Sequence, residues 1–471
     1  MPIRIFNTLT KKKEELIPQE KDLIRMYTCG VTVYDHCHIG HARSLYIFDL
    51  IRRYLVFRDF KVHFVRNITD IDDKIIQRAK EQKKTSQEVA EGYIASYYRD
   101  LESLKIAKAD HEPKATEQEN IDEMIKHISG LIEKGSAYEV KGNVYFRVRQ
   151  FKEYGKLSGQ SIEKMREAVR IEKDEKKEDP LDFALWKRSE PDEPSWVSPW
   201  GKGRPGWHIE CSCMSLKHLK CETLDIHAGG GDLIFPHHEN EIAQSEALMG
   251  KPFARYWLHH GLLTINGQKM AKSLGNFITI PEALQKYTVD TLKMFFLFSH
   301  YASPVDFTEE KMLEAGKALE RFDILFWKAY QIMMDRRPAE PCPPLFVEWY
   351  MREFVEAMDD DFNTPKALGV LFNFINEINK YIDTVDMSNK DYRGAVIYSV
   401  DTLERLARDV FGLFLKEKDN DLTDDQKQLL YDRLEARKKK NFKRSDELRE
   451  VLRSQGIVVE DTRDGQTWRF A

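Results

Sequence analysis

Residues 25–66 read RMYTCGVTVYDHCHIGHARSLYIFDLIRRYLVFRDFKVHFVR. Arg25 to Val33 has the apolar and β-branched character of a strand that runs into the Cys29-Gly30 turn. After His38-Ile39-Gly40-His41, the apolar residues Leu45, Phe48, Ile51 and Leu55 recur at helical spacing, and Lys61 to Arg66 is strand-like again. A strand, a glycine turn, a helix and a strand make a βαβ unit. Such a unit implies a parallel sheet, which binds ligands beyond the carboxyl ends of its strands.

Further along, residues 85–135 are helical and charged, and 140–200 reads as an insertion with a short strand at Asn143 to Val148. The polar run from Glu172 to Pro180 is expected to be a solvated loop. WVSPWGKGRPG, residues 196–206, is rich in Gly, Pro and Trp and is expected to be an ordered loop entering a site. Strand character returns at Thr223 to Ala228, before Gly229-Gly230-Gly231. From Pro281 the pattern is almost wholly helical, beginning with Leu284, Tyr287, Leu292, Met294 and Phe295 and continuing to about Lys416. Residues 418–425 look like a linker, and a basic tail follows with one helix and a hairpin around Asp464-Gly465.

The chain has 471 residues, room for about three domains at ~150 residues each. With 42% hydrophobic and 32% charged residues it has the composition of a globular enzyme with a large core. No stretch approaches the ~18 apolar residues of a membrane span, and MPIRIFN at the start lacks the features of a signal peptide. A cytoplasmic location is expected. Six cysteines in so long a chain are not a disulfide framework, so reduced thiols or metal ligands are expected. The net charge of −5 excludes a uniformly basic nucleic-acid binder and leaves local basic patches open.

Two short motifs suit phosphate chemistry. His38-Ile39-Gly40-His41 stands at a helix start, where unpaired backbone N–H groups and a partial positive charge attract anions. His38 and His41 can donate hydrogen bonds there, and Gly40 permits close backbone approach. Lys269-Met270-Ala271-Lys272-Ser273 follows the turn Asn266-Gly267, and lysines 269 and 272 on a loop can neutralise a leaving pyrophosphate. A third constellation suits a metal: Cys29, Cys211, His237 and Glu241. If Pro236 opens a helix, His237 and Glu241 share a face at i and i+4; a helix starting one residue later puts His238 in place of His237. Mixed sulfur, nitrogen and oxygen ligation is compatible with zinc, while the plain alternative is a set of ordinary core side chains.

TCGVTVYDHCHIGHAR, RNITDIDDKI, GKGRPGWHIECS, DIHAGGGDLIFPHHENEIAQ and KMAKSLGNF occur in the order found in cysteinyl-tRNA synthetases, and the chain resembles that family from the first strand to Trp468. The first and last segments resemble the HIGH and KMSKS elements of class I aminoacyl-tRNA synthetases, with Ala271 where serine is usual. The resemblance implies a Rossmann-type α/β catalytic domain with an insertion, an α-helical bundle and a small C-terminal α+β domain. The expected boundaries are 1–115 and 201–262 for the two catalytic halves and 116–200 for the insertion. Residues 263–325 are the KMAKS loop and junction, 326–417 the anticodon-side bundle and 418–471 a tRNA-binding domain. It further implies ATP with Mg2+ at His38, Gly40, His41, Lys269 and Lys272, and Zn2+ on Cys29, Cys211, His237 and Glu241. Thr69, Trp207 and His227 are implied around the amino acid, with Cys29 reaching the substrate through the metal. L-cysteine, ATP and tRNA(Cys) are the implied partners of a monomer.

Arg433 to Arg444 holds seven basic residues against one acidic and is expected to meet RNA phosphates; Trp468 with Arg469 is expected to stack on an unpaired base. Two rival readings share these residues. One is a ligase that joins cysteine to an amino sugar, which the tail from 418 onward disfavours. The other is a non-catalytic nucleotide- or RNA-binding paralogue, which the intact motifs disfavour.

Overall fold

The structure, a computed structural model, describes residues 2–162, 177–271, 274–334, 344–415, 423–462 and 465–470. It divides into two compact units. The first comprises Met1–Leu319, Tyr350–Leu371 and Asp409–Gly412; the second comprises Glu320–Trp349, Phe372–Arg408 and Leu413–Ala471.

The first unit is organised by β1 (Leu23–Thr28), α1 (Ile39–Phe57), β2 (Lys61–Arg66), α2 (Trp207–Leu219), β3 (Leu224–Gly230), α3 (Glu239–Met249) and β4 (Ala254–His260). The four strands form one all-parallel sheet in the order β4-β3-β1-β2. All seven residues of β3 are buried, as a parallel strand covered on both faces requires. Strand order reverses between β1 and β3, and the two strands end there at Thr28 and Gly230. An α/β sheet opens its ligand crevice at such a point.

Between β2 and α2 the chain folds as helices at Asp73–Gln82, Ser86–Ser103 and Gln118–Glu133 and a five-stranded antiparallel sheet. The expected loop at 196–206 is instead a hairpin, Trp196–Ser198 against Gly201–Pro205. Gly203 reflects close packing, since a Cβ there would lie 2.3 Å from Trp186 Nε1, while Gly201 makes the turn at φ +105°. The helical run after 281 is also interrupted, by the strand Val305–Phe307, which pairs with Leu263–Ile265. Three residues are too few to show a period. Much of the polar run at 172–180 and of the expected linker at 418–425 lies outside the described residues.

In the second unit the tail has two helices where one was expected, Asp424–Lys438 and Phe442–Ser454, followed by the antiparallel pair Ile457–Thr462 and Gly465–Phe470. Arg433 is fully buried and bonds Asp461 at 2.9 Å, and Arg437 bonds the same carboxylate at 2.7 Å. These two basic residues hold the tail together. Lys438, Lys439, Lys440, Lys443 and Arg444 remain exposed at the turn between the helices.

Gly206 caps α2 and donates its N–H to Leu185 O at 2.8 Å, and a Cβ there would lie 2.0 Å from Ala184 O. Gly206→Ala is therefore expected to cost about 2–3 kcal/mol of unfolding free energy by forcing helix and insertion sheet apart. A urea midpoint equal to the parent's would overturn this.

Candidate active site

His38 is the N-cap of α1. Its Nδ1 accepts the N–H groups of Gly40 (3.1 Å) and His41 (3.3 Å), while His41 Nδ1 accepts the N–H of His38 (3.2 Å). Both rings therefore spend Nδ1 as an acceptor and carry their proton on Nε2, where each can donate outward. Burial holds His38 near a pKa of about 4 and, with the charge of His38 beside it, His41 near about 3. The rings stack with centroids 3.8 Å apart. A Cβ at Gly40 would meet the His38 ring at 2.9 Å and Met270 Cε at 3.4 Å, so the glycine makes room for both. The second motif is tied to this helix start by the segment that follows it: Ile39 N donates to Ile278 O at 3.1 Å, Ile280 N to Cys37 O at 3.0 Å, and the Phe277 ring packs at right angles to His38. Lys269 is exposed; Lys272 lies outside the described residues.

At the strand-order reversal, one donor atom from each of Cys29, Cys211, His237 and Glu241 comes within 4.8 Å of the others. Cys29 follows β1, Cys211 lies in α2 and Glu241 in α3, while His237 sits in the turn Ile234–His238 that leads into α3. The turn replaces the expected proline-initiated helix start yet keeps His237 Nε2 3.0 Å from Glu241 Oε1. A second grouping, Cys29, His227, His238 and Glu241, shares two of these residues. Burial pushes the Cys29 thiol well up, with Cys211 and Glu241 adding to it. Burial alone would also raise Cys211 and Glu241. The hydrogen bond with Cys29, helped by His237, brings Cys211 to about 6, and His227 and His237 hold Glu241 well below the usual carboxylate range. Against burial, Glu241 and Cys211 lift His237 to about 10. Acidic donors packed this tightly away from water suit a divalent cation.

The other expected residues surround this set differently. Trp207, 38% exposed, stacks on His237 with centroids 4.2 Å apart. His227 is fully buried and bonds Glu241 Oε2 at 2.8 Å, so it stands behind the carboxylate. Thr69 is buried and donates to Glu210 Oε2 at 3.0 Å. Three residues emerge only in the fold: His208, 2.9 Å from His237; His259, which links His238 to Thr8; and Asn276, which bonds the backbone at 269 and 271. Two of them sit inside motif segments, in GWHIECS and KMAKSLGNF, and composition alone marks none of them.

A histidine whose folded pKa lies below its unfolded value of ~6.5 takes up its proton first in the unfolded chain, so stability falls as pH drops from there toward 4. His41→Gln removes one such group. Between pH 6.5 and 4 the parent is expected to lose about 3 kcal/mol more unfolding free energy than the variant, measured by urea titration. Parallel curves would refute the buried neutral ring.

Comparison with known proteins gives a family. The model described as tRNA synthetases class I (C) catalytic domain matches residues 15–317, a DALR domain matches 353–416, and a cysteinyl-tRNA ligase anticodon binding domain matches 419–469. Cysteine–tRNA ligases of Thermodesulfovibrio yellowstonii and Persephonella marina are each 49% identical, the first over 99% of both chains and the second over 100% of both. That of Aquifex aeolicus is 46% identical over 100% of this chain and 99% of its own. Mycobacterium tuberculosis methionyl-tRNA synthetase, solved with methionyl-adenylate, shares the fold with a TM-score of 0.66 at 15% identity, covering 83% of this chain and 92% of that one. Among the described residues no helix is long and apolar enough to cross a membrane. Matched along its whole length by such relatives, the chain belongs to the cysteine–tRNA ligase family of class I aminoacyl-tRNA synthetases.

Proposed function

We infer that this chain activates L-cysteine with ATP and transfers it to the 3′ end of tRNA(Cys), in the cytoplasm and as a monomer. The observation that carries the reading is convergence: a histidine-capped helix start, the loop after Lys269 and a thiol-rich donor set meet at one edge of one parallel sheet. The domain boundaries expected above are retained in this proposal.

The cysteine carboxylate attacks the α-phosphorus of Mg2+–ATP, giving cysteinyl-adenylate and pyrophosphate. His38 and His41 donate Nε2–H to phosphate oxygens, Gly40 leaves room for their rings, and the α1 N-terminus adds its partial positive charge. Lys269 and Lys272 neutralise the leaving pyrophosphate. A terminal ribose hydroxyl of the tRNA then attacks the adenylate carbonyl, with positioning supplying most of the rate. Exposed Lys438 to Arg444 and Trp468 are the proposed tRNA contacts of the tail.

Cys29, Cys211, His237 and Glu241 are the proposed zinc ligands. Two sulfurs favour this set over the grouping with His227 and His238, and its His237 is the one stacked on the half-exposed Trp207. Zinc bound there would supply Lewis acidity toward a thiol sulfur, preferring cysteine to serine. His227 orients Glu241, and Trp207 and Thr69 line the approach.

The test is cysteine-dependent exchange of pyrophosphate into ATP, followed by tRNA acylation, with zinc content determined on the same sample. One zinc per chain is expected, with exchange favouring cysteine over serine by ~10⁴ or more. Cys211→Ala is expected to lose the metal and most of the exchange. Exchange without acylation would favour the ligase to a small amine, and no exchange in zinc-loaded protein would favour the binding paralogue.

A further inference from the structure

Asn276 lies outside every motif residue given a role above, yet it makes the one cross-loop side-chain contact seen in the described part of the second motif. Its Oδ1 accepts the N–H of Ala271 at 2.8 Å, and its Nδ2 donates to Lys269 O at 3.2 Å. Those two backbone groups flank Met270. The Met270 side chain reaches the start of α1, with Cε 3.4 Å from where a Gly40 Cβ would stand. Just beyond Asn276, the chain is tied to the same helix start by the Ile39–Ile278 and Ile280–Cys37 hydrogen bonds and by Phe277 on His38. On the entry side, Asp306 accepts from Gly267 N at 2.7 Å and Thr264 Oγ1 at 2.6 Å, which fixes the hairpin that delivers Lys269. The loop is thus held at both ends, and among its described residues Asn276 bonds the backbone on both sides of Met270.

We propose that Asn276 is a positioning residue for ATP: by gripping the backbone on both sides of Met270 it holds the loop over the α1 N-terminus, where the phosphates bind. This rests on the proposed activity. An amide suits the task because it offers an acceptor and a donor at once, and a carboxylate or an alkyl group cannot replace both. The departure at Ala271 is explained as well. Position 271 is used through its N–H, so a side-chain hydroxyl there is dispensable.

Each neutral hydrogen bond is modest, so the expected effects are of order tenfold. Asn276→Ala is expected to raise the KM for ATP in pyrophosphate exchange about tenfold while leaving the KM for cysteine, the zinc content and the melting temperature as in the parent. Asn276→Asp, which keeps the acceptor but faces Lys269 O with a second acceptor, is expected to resemble Asn276→Ala. Ala271→Ser is expected to change the KM for ATP less than twofold. An unchanged KM for ATP in Asn276→Ala, or an equal loss in all parameters, would overturn the proposal. If the parent itself shows no exchange, the activity is wrong and equilibrium dialysis with ATP decides: about tenfold weaker binding by Asn276→Ala upholds the clip, and equal binding removes it.

Discussion

Two parallel strands that lead away from one another leave a gap at their carboxyl ends, and the chemistry of the first unit is arranged around that gap. β1 and β3 are neighbours, yet β1 connects onward to β2 on one side and β3 to β4 on the other. The connections that leave their carboxyl ends therefore diverge. Small residues at the strand ends let other groups fill it. A Cβ at Gly229 would lie 2.7 Å from the His238 ring, and one at Gly30 only 1.6 Å from the Asn67 carbonyl oxygen, so glycine at both positions admits its neighbour. The half-buried Cys29 then brings its thiol within 4.8 Å of the α2 and α3 donors.

The two halves of this edge use opposite electrostatics. In the donor set, thiols, imidazole and carboxylate press together until each one's protonation depends on the others, which leaves acidic groups that a dication would satisfy. At the helix start, the two rings are held neutral by burial and by their caps. The proposed function needs this difference, since a metal site for a sulfur must attract a cation and a polyphosphate site an anion.

Much of this was legible in the sequence. The period-3.6 run after His41 and the strands beside it lie close to where the pattern placed them, and the i, i+4 relation of His237 and Glu241 survives even though a turn replaces the expected helix start. What escaped was contact between distant elements. No pattern shows that the His227 ring bonds Glu241, and the glycines of 196–206 read as a loop because close packing of Gly203 on Trp186 and of Gly206 on Ala184 leaves the same compositional mark as a turn. The basic run in the tail misled in part, because a row of charges does not show that Arg433 and Arg437 converge on Asp461.

If His38 and His41 meet the phosphates as proposed, their neutrality has a consequence for turnover. A buried imidazolium would attract ATP, transition state and pyrophosphate alike, which is uniform binding and does nothing for the chemical step. Nε2–H groups fixed by their own backbone caps instead act as oriented dipoles, most effective where charge develops on phosphate oxygens and costing no reorganisation. Full positive charge is left to the second motif, whose Lys269 is exposed on a hairpin fixed by hydrogen bonds rather than by core packing. Hydrogen bonds of that kind are individually weak and reversible. Under the proposed function, full charge and fixed dipoles thus reach the phosphates from separate elements, the Lys269 hairpin and the start of α1.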